Sequence, residues 1–108
     1  VSAAADRGAN PARGEASVRV AGAELVLRPS FAALVAAEGE LGPLMAVVER
    51  AGEGRLPIGE VVALFWHCLR DRPEGMTREA LGEAVVGCGL QAAMPALRVL
   101  LGQIVLGR

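Results

Sequence analysis

Glu15-Ala16-Ser17-Val18-Arg19-Val20, then Ala21-Gly22, then Ala23-Glu24-Leu25-Val26-Leu27-Arg28: this stretch decides the fold. Residues 16, 18 and 20 are apolar and alternate with polar neighbours, and residues 23, 25 and 27 repeat the pattern. Side chains of a strand point alternately to its two faces, so a period of two marks a half-buried strand. The Ala-Gly pair between the runs predicts a β-hairpin with Val18, Val20, Leu25 and Leu27 on its packed face. Pro29 ends the second strand. A two-stranded ribbon alone is marginal in water, so this one must lie on something else.

Beyond Pro29 the period changes from two to that of a helix. Ser30 is placed to cap a first helix whose apolar stripe reads Phe31, Leu34, Val35 and Leu41, with Glu38 and Glu40 projecting elsewhere. Gly42-Pro43 breaks it, and a short second helix over about residues 44–51 aligns Leu44, Val47 and Val48. The third, about residues 58–69, is the most apolar: Ile58, Val61, Val62, Phe65, Cys68 and Leu69 keep the helical period, and Leu64 and Trp66 widen the stripe. Pro73 prevents its continuation. Thr77 caps a fourth helix with Glu79 or Glu83 near its positive end and Leu81, Ala84, Val85 and Cys88 as buried positions. Gly87 and Gly89 end it. The last helix, about residues 90–106, carries a stripe of Met94, Leu97, Leu101, Ile104 and Val105, flanked by Val99 and Leu100. Pro95 either sits in its first turn or kinks it. The expected fold class is α+β and mostly helical, an N-terminal two-stranded hairpin packed on four to five α-helices.

Composition sets the outer limits. The chain has 108 residues, 53% of them hydrophobic, enough for one core and too few for two domains. Residues 1–14 mix small residues, Gly, Pro and opposite charges without a period, and read as a flexible arm ahead of a single domain over 15–108. The net charge is −1, which argues against a broad nucleic-acid footprint. All basic residues are Arg. Arg shares GC-rich codons with the abundant Ala and Gly, so this bias reflects the genome before it reflects phosphate recognition. Residues 1–14 lack the apolar segment of a signal peptide, and the last helix is too short to span a bilayer. A cytoplasmic protein without a membrane partner is expected.

The side chains offer little chemistry. His67 and Cys68 are adjacent on a helix and point about 100° apart, so they do not form a nucleophilic dyad. Cys68 falls on the apolar stripe and reads as core. Glu38/Glu40 and Glu79/Glu83 have spacings common on solvated helix faces. One His and two Cys are too few for a metal site, and no GxGxxG, P-loop or GxSxG occurs. Neither an enzyme nor a cofactor nor a metal is expected. The informative feature is the last helix, where Arg98 is the sole charge over residues 90–106. It reads either as a core helix or as a helix with one face packed at home and a second packed on a partner, and both can hold. Trp66, His67, Leu97, Leu101, Ile104 and Val105 are the candidate partner-binding residues, Trp being enriched at interface hot spots. The strand edge over residues 16–20 is a further candidate for pairing.

Asn10-Pro11-Ala12-Arg13-Gly14-Glu15 ahead of a hairpin, Leu34-Val35-Ala36-Ala37-Glu38 with Leu41-Gly42, Val61-Val62-Ala63-Leu64-Phe65-Trp66-His67-Cys68-Leu69-Arg70, and Leu97-Arg98-Val99-Leu100-Leu101-Gly102-Gln103-Ile104 form an ordered set. In these the chain resembles the small tail proteins of alphaproteobacterial gene transfer agents and related phages, over residues 9–108. Residues 1–8 precede that family's usual start and are assigned no role. The family carries two descriptions, tail tube protein and tail assembly chaperone. A ring-forming tube subunit needs many strands, whereas this chain offers two, so the resemblance implies a chaperone. Its implied partners are the tape-measure protein and the tail tube protein, with self-association as a further option. The rival expectations are a structural tail subunit retained in the particle and a small helical DNA-binding regulator. The regulator is disfavoured because no helix concentrates Arg.

Overall fold

Strands β1 (Ala16–Val20) and β2 (Ala23–Leu27) form an antiparallel hairpin in which Val18 faces Leu25 and Ala16 faces Leu27. Helices α1 (Phe31–Leu41), α2 (Leu44–Gly52), α3 (Ile58–Cys68), α4 (Arg78–Cys88) and α5 (Leu90–Leu106) come after it. The structure is a computed structural model that describes residues 16–20 and 23–107. The arm over 1–14, the turn over 21–22 and the packing expected of Val20 lie outside what is described.

The hairpin does not stand alone. Val18, Leu25 and Leu27 are buried, as period two requires, but Val26 between the last two is buried as well, so the end of β2 is covered on both faces. Strand β1 packs against α5 and α4. Beyond α3 the chain returns along β2: Leu27 bridges Leu69, Arg28 N–H donates to the Cys68 carbonyl at 2.7 Å, and Arg70 N–H donates to the Val26 carbonyl at 2.9 Å. These bonds cover the outer edge of β2 and tie the ribbon to the end of α3.

Around α3 the core closes. Val62, Ala63, Leu64, Phe65 and Cys68 are all buried, and Phe65 is the largest side chain with no solvent contact. Burying a side chain of that size contributes roughly 1.5–3 kcal/mol. Leu27, Leu81, Val85, Ala96, Leu97 and Leu100 are among the residues that join Phe65 in the core cluster. Helix α1 packs on α3 and α2.

Local signals set the helix ends. Ser30 Oγ accepts from Ala33 N–H at 3.2 Å and Thr77 Oγ1 from Ala80 N–H at 3.1 Å, each satisfying a first-turn amide that has no intrahelical partner. Pro43 ahead of α2 has no capping side chain. Glu38 reaches over from α1 instead, its Oε2 accepting from Leu44 N–H at 2.9 Å. Gly89 separates α4 from α5 at φ +90°, a left-handed backbone that favours Gly. The two helices bend there by 115°.

Two expectations need correction, and of the two alternatives for Pro95 the first-turn one falls. Phe31 and Val35 do not join the buried face of α1: Phe31 is 86% exposed and Val35 is also exposed. Ala33, Leu34, Ala37 and Leu41 pack inward instead. Phe31 and Val35 lie roughly 120–160° round the helix from Ala37, so both sets cannot face the core. Cys88 is exposed rather than buried, because α4 has run past the core by its last turn. Pro95 lies beyond the first turn of α5, and the helix continues through it. The carbonyl of Gln91, an exposed residue, is the one whose intrahelical donor Pro95 lacks.

Candidate interaction surface

The candidate residues separate into two places. Trp66 and His67 lie at the end of α3 in a polar seam. His67 Nε2 is 2.9 Å from Glu40 Oε1 on α1, so the tautomer with its proton on Nε2 donates there. Arg78 NH1 on α4 donates to Glu40 Oε2 at 2.6 Å. Arg78 NH2 is 3.5 Å from His67 Nε2, a donor facing a donor in that tautomer, and adds no bond. Glu40 thus joins three helices. The Arg78 guanidinium, and then the His67 ring, hold its carboxyl down from 4.5 to about 2 because both bonds favour the charged form.

Beside the seam, the Arg72 guanidinium stacks 4.1 Å over the Trp66 ring and donates to the Trp66 carbonyl at 3.1 Å. The Trp66 face expected for a partner therefore already carries a cation. His67 is equally engaged. Cys68, next in sequence, is buried, and that burial pushes its thiol up to about 12. The thiolate is the reactive form, so Cys68 is inert at neutral pH.

The other place is a groove of about 510 Å³ between α2 and α5. Val48 and Ala51 line one wall, Met94, Leu101 and Val105 the other, and Arg98 stands among them. Leu97 is 5% exposed and forms the floor. A smaller cavity of about 150 Å³, lined by Leu56, Ile58, Val61 and Leu90, shares Ala51, Met94 and Leu97 with this groove and continues it toward α3. Of the four candidate residues on α5, Leu97, Leu101 and Val105 share the groove, with Val105 the most open at 48%. Ile104 is half-buried against the core and lines neither cavity.

The lining also contains residues that periodicity assigns to packing. Val48 and Met94 are stripe residues by period, yet both face the groove. Leu106, 85% exposed at the end of α5, escapes a reading by period because it ends the run. Arg98 as the lone charge of the last helix is the signal that the sequence carries for this surface.

Nearly the whole domain matches one known family profile, described as phage tail tube protein, GTA-gp10, over residues 13–107. The chain belongs to that family. No curated protein and no solved structure matches it. Membership in the GTA-gp10 family points to protein–protein assembly in a tail. Among the described residues no group of three His, Cys, Asp or Glu is placed to hold a metal ion.

Proposed function

We propose that the chain is a non-enzymatic tail assembly chaperone, acting in the bacterial cytoplasm and binding tape-measure and tail tube proteins through apolar helix surface. One observation carries this reading: two five-residue strands and five helices make up the described fold. A tube wall of stacked rings calls for long strand edges that join subunits into continuous sheet. In this chain Leu69 and Arg70 occupy the outer edge of β2, and β1 offers five residues. The α2/α5 groove, by contrast, suits an apolar helix of a client, a docking mode in which side chains at helical spacing fill an apolar channel.

A second reading, a structural subunit retained in the particle, draws on the family description. That description names a tail tube protein and speaks for a subunit more directly than for a chaperone. Two measurements decide between them. Co-expression with the tape-measure protein is expected to raise its soluble fraction, and Leu101→Asp with Val105→Asp to cancel the gain while the chain stays folded. Quantifying the chain in purified particles is expected to give traces. Many copies per particle would establish the subunit reading instead.

A further inference from the structure

The α2/α5 groove has a deep part and a charged part, and they lie on neighbouring turns of α5. The deep part is the cavity of about 150 Å³ that continues the groove, where Ala51, Gly54 and Ala93 leave room that larger side chains would fill. Every side chain lining it is apolar. A cavity of roughly that volume with such a lining holds one benzene-sized group. Ile58, Leu90 and Met94 at its rim are exposed, so a side chain can enter from outside.

The charged part is Arg98. It is exposed and forms no ion pair among the described residues. Among those residues it is also the only charged one that lines either the groove or the cavity. Leu90, Met94, Leu97, Leu101 and Val105 repeat at helical spacing along this side of α5, over about 22 Å, or about four turns. Arg98 stands between Met94 and Leu101 in that series, so a helix that covers both ends lies across it. Covering a cation without supplying a partner is costly. An occupant of the whole groove therefore brings an anion to that point.

We infer that the α2/α5 groove selects an amphipathic helix with a defined signature: a Phe- or Leu-sized side chain seated in the cavity, and a carboxylate one turn away paired with Arg98. This rests on the reading of the groove as the site of a client helix, and it specifies what that helix carries. The spacing follows from α5 itself. Leu90, Ala93, Met94 and Leu97 bound the cavity, and Arg98 lies one turn beyond their midpoint. Anchor and acid thus stand three or four residues apart on a helix laid alongside. A Lys or Arg at the acid's position would face Arg98, and that repulsion rejects helices with the same apolar stripe and the wrong charge.

The probes are labelled helical peptides of about 18 residues, long enough for the groove, with one Phe and one Glu four apart on an apolar stripe, made in both sequence orders. Fluorescence anisotropy with the full chain is expected to show binding by at least one order. Replacing its Glu by Lys is expected to weaken binding about tenfold or more, and replacing its Phe by Ala to weaken it to a similar extent. Arg98→Glu, at an exposed position and with circular dichroism unchanged, is expected to invert the preference so that the Lys peptide binds better than the Glu peptide. Gly52→Leu, on the groove wall where an added Cβ meets nothing within 4 Å, is expected to block both. Retention of the full-length tape-measure protein on the immobilised chain is measured separately and decides the proposed function. If that protein is retained while peptide binding is indifferent to Glu, Lys and Arg98→Glu, the inference falls and the chaperone reading stands. Peptide selection that inverts with Arg98→Glu, without retention of the tape-measure protein, upholds the signature and sinks the chaperone reading. Failure of both peptide orders to bind, or groove variants that alter only self-association of the chain, overturns the inference.

Discussion

Helices α3 and α5 are both rich in apolar residues, yet the structure treats them differently. Along α3 the run from Val62 to Phe65 is buried without interruption, with Cys68 a turn further on. Along α5 only Ala93, Ala96, Leu97 and Leu100 are buried, while Met94, Val99, Val105 and Leu106 stay exposed. Neighbours explain the difference. Helix α3 is flanked by α1 and α4 and continues into Leu69 and Arg70 on the strand edge. Helix α5 packs on β1 and α4, and the 115° bend at Gly89 directs it away from the line of α4. Apolar content therefore marks a helix as needing cover, and the placement of its packed neighbours decides which of its faces receive it.

That contrast is broken most severely at its buried end. Phe65→Ala is expected to cost about 3–5 kcal/mol, through lost transfer energy and the cavity left behind, read as a large fall in the urea midpoint. Val105→Asp, on the exposed face of α5, is expected to stay within about 0.5 kcal/mol of the parent. Equal losses at both positions would show that the face of α5 is structural and not held for a partner.

The polar seam tests the α3 side at lower amplitude. Glu40 has its pKa depressed in the fold, from 4.5 to about 2. Its contribution to stability is thus fully present above 4.5 and is lost as pH falls toward 2. The thermal midpoint is expected to drop over that window, and Glu40→Gln to flatten this part of the profile. A variant with an unchanged slope would mean that the contacts of Glu40 with Arg78 and His67 do not matter in solution.

The smallest effect concerns the cysteines. Cys88 is exposed and Cys68 buried, so a thiol reagent is expected to modify Cys88 in the folded chain and Cys68 only on unfolding. Fast labelling of both would place the end of α3 outside the core.

The hairpin, the helix order and most of the core are legible in the sequence because each rests on local signals. Alternation at Val18, Leu25 and Leu27, caps at Ser30 and Thr77, and breaks at Gly42-Pro43 and Gly89 act over a few residues. The face of α1 is not legible. Phe31 and Val35 are as apolar as Leu34 and Leu41, and periodicity cannot choose between stripes separated by a third of a turn. Among the candidate residues, Leu97, Leu101 and Val105 share one side of α5, whereas Ile104 turns toward the core. Trp66 and His67 lie beside the main stripe as the period places them, but their partners Arg72, Glu40 and Arg78 are beyond pattern reading.

The sequence by itself determined the list of elements and the absence of a strong motif for chemistry, since propensity, caps and apolar period are properties of neighbouring residues. The tertiary structure alone decided which apolar faces found cover and which carboxylates found cations. Glu40 meets His67 across 27 positions and Arg78 across 38, and contacts at that separation exist only once the helices have packed.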